Sequence, residues 1–534
     1  MATKLKQAEI ESFVGGINVY ANSRQVKDNE SPDMLNCMFE GISGITKRQG
    51  YIKLTTSLIA SGYKGQGLFE YVTATSKEIL YVVNGVLYKY NGSGGSTTIT
   101  GGTFSTSANV NACQMGDRLY FADGVTALSY YDGSAISTTG IASAPTKVKQ
   151  LIKYNNRMYC NSDDAKDRVY YGGSLGTDGT ATNTGNFATT TPAFAGYLGF
   201  GRGKIVTGFA KKDTSLYVIF ENSTSRIDPV SGTGASSALD HTAVVISNSF
   251  GSRSPRSIEN IGNDIGFLDS QYIFLGEVAN FATIRTRTIS ATINRLFESI
   301  NQQAISKVAA IYYEQEELLL IAVQTGTSNN DHVIAYSVAY KAWLYWDTIQ
   351  ANCFLDHVDS NNVKHLYFIS DDSDASYVYE LFQGLTDDGA AVNSYYITKE
   401  FDLGKFNIEK IFQNWNALFG SAFGTTTVDF IVNGVTEDMV SFGSVSTTLT
   451  SDGMGTLPMG TFPMGIEGSF TEQASTSEVL INDWRWHTLN SSPTGTAFQM
   501  KFSNSTANEN FVINKASLGF IELPYYKRSA TKEV

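Results

Sequence analysis

The sequence predicts an all-β chain, a β-propeller of about seven blades (six to eight fit) followed by a C-terminal antiparallel β-sandwich. A phrase recurs: an apolar run, a tight Gly/Asn/Asp turn, then a second run built on Leu or Met, Tyr and an apolar or aromatic residue. Ile79–Val83, Asn84, Gly85 and Val86–Tyr88 form one copy; Met115–Phe121, Tyr154–Tyr159, Lys212–Phe220 and Gly262–Leu268 form others. Degenerate versions follow at Glu316–Ile321 and Val363–Ile369. The spacing, roughly 30 to 55 residues, suits an array of small antiparallel sheets. Hairpins recurring by chance are the competing reading, disfavoured by some seven copies of one polarity. Composition agrees, since 49 Gly but only 9 Pro in 534 residues suits turns joining short strands. After residue 386, alternation in Val428–Val432 and Phe498–Phe502 signals the sandwich.

In chain order, residues 1–60 lack the repeat and are expected to pack on or close the propeller. Within them Ser31 reads as a helix N-cap, with Pro32 at the first helical position and Asp33 against the dipole. Residues 61–385 are assigned to the propeller. Ser/Thr/Gly/Asn-rich stretches at 91–109, 172–204 and 228–256 read as loops joining blades. Residues 386–534 form the sandwich, where Asn433–Gly434 marks a hairpin.

Fifty-one acidic against 39 basic side chains leave a net charge of −12, and no sustained basic run occurs. Phosphate-gripping nucleic-acid binding is therefore disfavoured, although a conduit whose wall repels phosphate would let DNA slide. No run of eighteen apolar residues exists, so no membrane span is expected. Nor is a secretory signal visible behind Lys4, Lys6, Glu9 and Glu11. Cys37, Cys113, Cys160 and Cys353 have no metal-ligand spacing and read as reduced, mostly buried thiols.

Three words at the amino end carry a resemblance: Phe13-x-Gly15-Gly16-Ile17-Asn18; Ser31-Pro32-Asp33-x-x-Asn36; and Lys47-Arg48-x-Gly50-Tyr51. Together, ahead of a propeller-like array, they resemble the opening of the tail nozzle or tail tubular protein B family of short-tailed bacteriophages. The remaining chain matches by architecture only. The resemblance implies a structural virion protein of the tail, assembled in the host cytoplasm. It implies a homo-oligomer, a hexameric ring that continues the DNA ejection channel below an adaptor protein, closes it before infection and docks tail fibres. DNA would pass through without specific binding. No enzyme activity or cofactor is implied.

The residues offer few rivals. Asp371, Asp372 and Asp374, or Asp163, Asp164 and Asp167, could hold Ca²⁺, but lack the glycine and distal glutamate of a calcium loop and read as solvated turns. Glu314, Glu316 and Glu317 could supply a glycosidase pair but fall on a hairpin turn. The five histidines show no helical metal spacing, and Gly199-Phe200-Gly201-Arg202-Gly203 lacks the Lys-Ser/Thr ending of a phosphate loop. Trp343, Tyr345 and Trp346 could form a carbohydrate platform, but propeller blades also bury Trp between sheets, and core packing is the favoured reading. The repeated Gly/Pro-Met-Gly words at Met454, Met459 and Met464 read either as a loop docking on a neighbouring subunit or lining a constriction, or as a local loop. The alternative function is a carbohydrate-binding or glycan-cleaving propeller for host recognition.

Overall fold

The computed structural model describes residues 5–176, 183–190, 194–201, 203–212, 214–229, 241–262, 264–269, 273–279, 283–326, 328–420, 425–443, 487–489 and 492–523. Two compact units emerge, residues 51–383 and residues 1–50 with 384–534.

Within the first unit six four-stranded antiparallel sheets succeed one another, and a seventh is completed from the unit's own beginning. Blade 1 spans Gly65–Val72, Lys77–Val83, Val86–Tyr90 and Ser96–Thr98; blade 2 runs from Asn111–Met115 to Ile136–Ser137. Blades 3 to 6 open on Val148–Tyr154, Val206–Lys212, Glu259–Ile261 and Ala309–Tyr313. Blade 7 takes Ala351–Val358, Lys364–Ser370 and Val378–Leu381, and its fourth strand is Tyr51–Lys53, with Leu381 opposite Tyr51 and Tyr379 opposite Lys53. The ring is thus closed by a strand more than 300 residues away in sequence, which leaves blade 7 no unpaired edge on that side. Tyr51 seals the junction edge-on against Phe368 at 5.3 Å and Tyr379 at 5.1 Å.

The turns follow from residue chemistry. Asn84 and Gly85 (φ 52° and 68°) and Asn155 and Asn156 (φ 47° and 55°) make the left-handed two-residue turns that match strand twist. Each second strand is buried on both faces, as in Leu80–Val83, Leu216–Phe220 and Leu318–Val323. Adjacent blades share their apolar residues: Leu80, Val82 and Leu87 of blade 1 pack with Leu119, Phe121 and Tyr131 of blade 2.

Two expectations are corrected here. The stretches read as connecting loops each contain the outermost strand of a blade, Ser96–Thr98, Gly196–Gly199 and His241–Ser247. These strands are largely exposed, so they lack the apolar signature of the inner ones. A helix, Asn294–Ser299, lies between blades 5 and 6, where none was foreseen.

The second unit is a sandwich of two antiparallel sheets. One contains Cys37–Glu40, Gly44–Lys47, Val512–Glu522, Lys410–Phe419 and His487–Thr488, with Lys6–Ile10 on Val512–Glu522 and Thr494–Gly495 on Lys410–Phe419. The other contains Asp33–Leu35, Ser394–Ile397, Phe498–Asn504, Thr425–Val432 and Val435–Gly443. Phe412 of the first sheet meets Phe430 and Phe498 of the second at 5.8 and 5.4 Å.

The segment 1–60 is therefore redrawn. Its first fifty residues supply strands to the sandwich, and only Tyr51–Lys53 enters the closing blade. The expected boundaries at 60/61 and 385/386 fall at 50/51 and 383/384. Nor does a helix start at Ser31: Asp33–Leu35 pairs with Tyr395–Ile397, and the Ser31 hydroxyl donates to the Ile397 carbonyl at 2.6 Å. Tertiary strand pairing overrides the local cap signal.

Lys47 is buried in the sandwich, its Nζ donating to Asn504 Oδ1 and the Thr506 carbonyl, both at 2.9 Å. Burial pushes its pKa down to about 8, with Glu509 opposing. A depressed lysine destabilises the fold fully below its folded pKa, because there the unfolded chain gains more from the proton. From about pH 8 up to the ordinary lysine value of 10.5 this penalty fades and stability rises. Lys47→Met is expected to remove that rise. In thermal melts the variant's midpoint relative to the parent falls between about pH 7 and about pH 10, and a constant gap would contradict it.

Candidate functional site

The innermost strands of the seven blades begin at one face, where each lies beside the end of its blade's second strand: Gly65 opposite Val83, Asn111 opposite Ala122, Val206 opposite Phe220, Ala351 opposite Ser370. There they enclose an axial funnel of about 810 Å³ reached by residues of every blade. Six basic side chains (Lys64, Lys149, Lys166, Arg253, Arg256, Lys307) and four acidic ones (Asp123, Asp163, Glu221, Asp371) line it.

The acids are largely committed. Asp123 accepts from the backbone N–H groups of Ser105, Val125 and Thr126 at 2.7–2.8 Å and from the Thr126 hydroxyl at 3.0 Å. Burial alone would raise its pKa, but these donors hold it below the ordinary value. Asp371, almost wholly buried, accepts from the Asn330 N–H at 2.7 Å and Asn352 Nδ2 at 3.1 Å, with Lys64 Nζ 3.4 Å away. Asp163 pairs with Lys149 at 2.9 Å. Arg256 is bound by neutral acceptors: the carbonyls of Gln66, Val110 (2.9 Å) and Asn352 (3.2 Å), and Asn352 Oδ1. It fastens blades 1, 2 and 7 to the segment entering blade 5, and burial lowers its pKa.

The other sequence candidates lie elsewhere and apart. Asp372 caps its own turn through the Asp374 N–H at 3.0 Å, and Asp164 pairs with Lys147 at 2.7 Å. Glu314 pairs with Lys364 at 2.7 Å on an exposed turn shared with Glu316 and Glu317. Among the described residues no group of His, Cys, Asp or Glu side chains is placed to hold a metal ion. His357 faces Glu70 at 2.8 Å and His365 faces Glu380 at 2.6 Å, while His241 meets the Tyr159 hydroxyl at 2.7 Å. Burial pushes the Cys37 and Cys113 thiols up to about 12 and raises Cys160 and Cys353 as well, so none carries the thiolate a nucleophile needs. Glu259, on the innermost strand of blade 5, is pushed up to about 8 by burial. No ion pair or hydrogen bond of its carboxyl occurs among the described residues, so it is a lone acid without a catalytic partner.

Trp343 and Trp346 are core residues of blade 6. The Trp343 indole N–H donates to the Ile289 carbonyl at 2.9 Å and its ring lies 4.7 Å from Tyr336. Gly201 and Gly203 take positive φ (63° and 62°) in the strand-to-strand connection, and Arg202 between them lies outside the described residues. Met454, Met459 and Met464 also lie outside the described residues, as do Trp484 and Trp486.

Comparison with known proteins adds the following. No protein-family model matches the chain, and no curated protein matches it. Among solved structures it is similar to the N-terminal domain of Nup159, at 10% identity and a TM-score of 0.40 over 62% of this chain and 95% of that one. It is similar to BBS1N, solved in complex with ARL6DN, at 8% identity and a TM-score of 0.38 over 62% of this chain and 97% of that one. The computationally designed Ika8 protein matches at 9% identity and a TM-score of 0.35, over 68% of this chain and 98% of that one. Likenesses this faint assign no function.

Proposed function

We propose that the chain is a structural virion protein, a tail nozzle of a short-tailed bacteriophage, whose rings extend and close the DNA ejection channel and dock an adaptor protein and fibres. One observation supports the reading above others. The residues that carry the resemblance are framework residues of a single design, in which an amino-terminal segment is woven into a sandwich and a propeller is inserted in the chain between the sandwich's parts. Phe13 packs edge-on against Tyr396 and Phe502 at 5.3 and 6.0 Å, and a Cβ at Gly15 would collide with the Asn29 carbonyl. Asn18 binds Glu30 at 2.7 Å, Asn36 binds the Asn393 carbonyl at 2.7 Å, and a Cβ at Gly50 would strike the Thr386 carbonyl. A chain whose distinctive residues all serve the framework is suited to be a wall. The net charge of −12 fits a surface past which DNA slides.

Negative-stain images of the purified full chain test the reading, with closed sixfold rings expected. A monomer at every concentration, or release of reducing sugars from host envelope, would overturn it in favour of a scaffold or a glycan-cleaving propeller respectively.

A further inference from the structure

We propose that the axial funnel of the propeller binds a compact polyanion, a small molecule carrying two or more phosphate or carboxylate groups, through Lys166, Arg253, Arg256 and Lys307. This inference does not depend on ring formation.

The charge inventory carries it. Of the funnel's four acids, Asp123 and Asp371 are turned into the wall by the hydrogen bonds described above, and Asp163 neutralises Lys149. Lys64 is held by Asp371 and by the Ser328 carbonyl at 2.5 Å. Four cations remain outside these pairs: Arg256, whose hydrogen-bond acceptors are carbonyls and an amide with the Asp371 charge felt beyond Asn352, and Lys166, Arg253 and Lys307, which are exposed around the rim and have no carboxylate partner among the described residues. Glu221 is the one acid facing them without a partner among the described residues. The funnel therefore concentrates positive charge in a chain of net −12. A concave site with low-dielectric walls focuses such a field and raises the local concentration of an oppositely charged ligand.

The shape points to a small molecule. The volume of about 810 Å³ falls within the range of small-molecule sites, roughly 300–1,000 Å³. Tyr63 is the one aromatic among the lining residues, so the funnel lacks the stacked rings a neutral sugar would require. A guanidinium fixed on neutral acceptors, with exposed lysine and arginine side chains at the rim, is suited to an anion with several separated charges. Whether phosphate or carboxylate carries those charges is the one choice the lining leaves to experiment.

Isothermal titration of the full chain with tripolyphosphate and with citrate, in low salt, tests the proposal, with maltotriose as the neutral control. Saturable one-to-one binding of at least one anion and none of maltotriose is expected, the tighter anion naming the charge carrier. The double variant Lys166→Glu, Arg253→Glu changes two exposed rim residues. It is expected to weaken binding by about tenfold or more while leaving the ligand-free melting temperature in place. Absence of saturable binding to either anion, or binding undiminished in the double variant, overturns the proposal.

Discussion

Asp387→Ala is expected to destabilise the sandwich by about 3–5 kcal/mol, the cost of leaving a buried charge without its partner. Arg48 is completely buried and Asp387 nearly so, and they form a two-pronged pair, Nη2 to Oδ2 at 2.6 Å and Nη1 to Oδ1 at 2.9 Å. Arg48 Nε also donates to Asn36 Oδ1 at 2.9 Å, and Nη1 to the Gln49 carbonyl at 3.0 Å. The alanine variant keeps these neutral acceptors but removes the carboxylate that takes both prongs of a guanidinium out of reach of water. Denaturant unfolding measures the loss. Hydrogen exchange in peptides covering residues 36–48 and 384–394 places it in this unit. Arg48→Met combined with Asp387→Leu is expected to recover part of it, since no buried charge is then left unpaired, while Asn36 Oδ1 and the Gln49 carbonyl each lose a donor. A loss under about 1 kcal/mol for Asp387→Ala alone would mean that the guanidinium is solvated and the pair is not a structural hub.

The same pair shows why parts of this fold were legible in the sequence and others were not. Arg48 was visible as part of a word, but nothing near it announced Asp387, 339 residues on. The amino-terminal strands have the same difficulty: Lys6 pairs opposite Phe520 and Asp33 opposite Ile397. Neither strand has a local partner, so periodicity could not place them. The second strands of the blades were legible for the opposite reason. Val82 and Val83, or Ile219 and Phe220, are enclosed by neighbouring sheets, so the run is continuously apolar and ends at a tight turn or a polar residue. Outermost strands such as His241–Ser247 face solvent and resemble loops in composition.

The funnel was scarcely legible because its lining is gathered in short pieces from residues 62 to 373, around the whole set of blades. A signal did exist in phase with the repeat. A polar residue follows or ends the second strand of every blade: Asn84, Asp123, Asp163, Glu221, Asp269, Gln324 and Asp371. Four of these reach the cavity. Asp371 read as part of an acidic turn, yet its carboxylate is buried against the Asn330 N–H and Asn352 Nδ2 while Asp374 remains in the turn. Arg253 and Arg256 carry no local mark at all, because the segment entering blade 5 reads as a plain Ser/Arg loop until Arg256 meets carbonyls from three other blades.

Trp346→Ala is expected to cost the propeller about 3–5 kcal/mol, the usual range for removing a buried aromatic. Trp346 is fully enclosed and meets Phe382 edge-on at 6.2 Å. Strand register sets it opposite Val333, while Trp343 and Tyr345 lie opposite Tyr336 and Ile334 on the other face of the sheet. Neither tryptophan offers a face to solvent, and Tyr345 is stacked on His332 at 5.0 Å. A carbohydrate platform needs a ring exposed for stacking, so the two readings of this cluster make opposite demands on one substitution. Core packing requires a lowered melting temperature, and the alanine variant should melt several degrees below the parent chain. A platform requires a folded, equally stable protein that has lost glycan binding. Glycan-array binding that disappears in Trp346→Ala at an unchanged melting temperature would restore the sugar-binding reading of the propeller, because a ring contributing nothing to the core must be accessible.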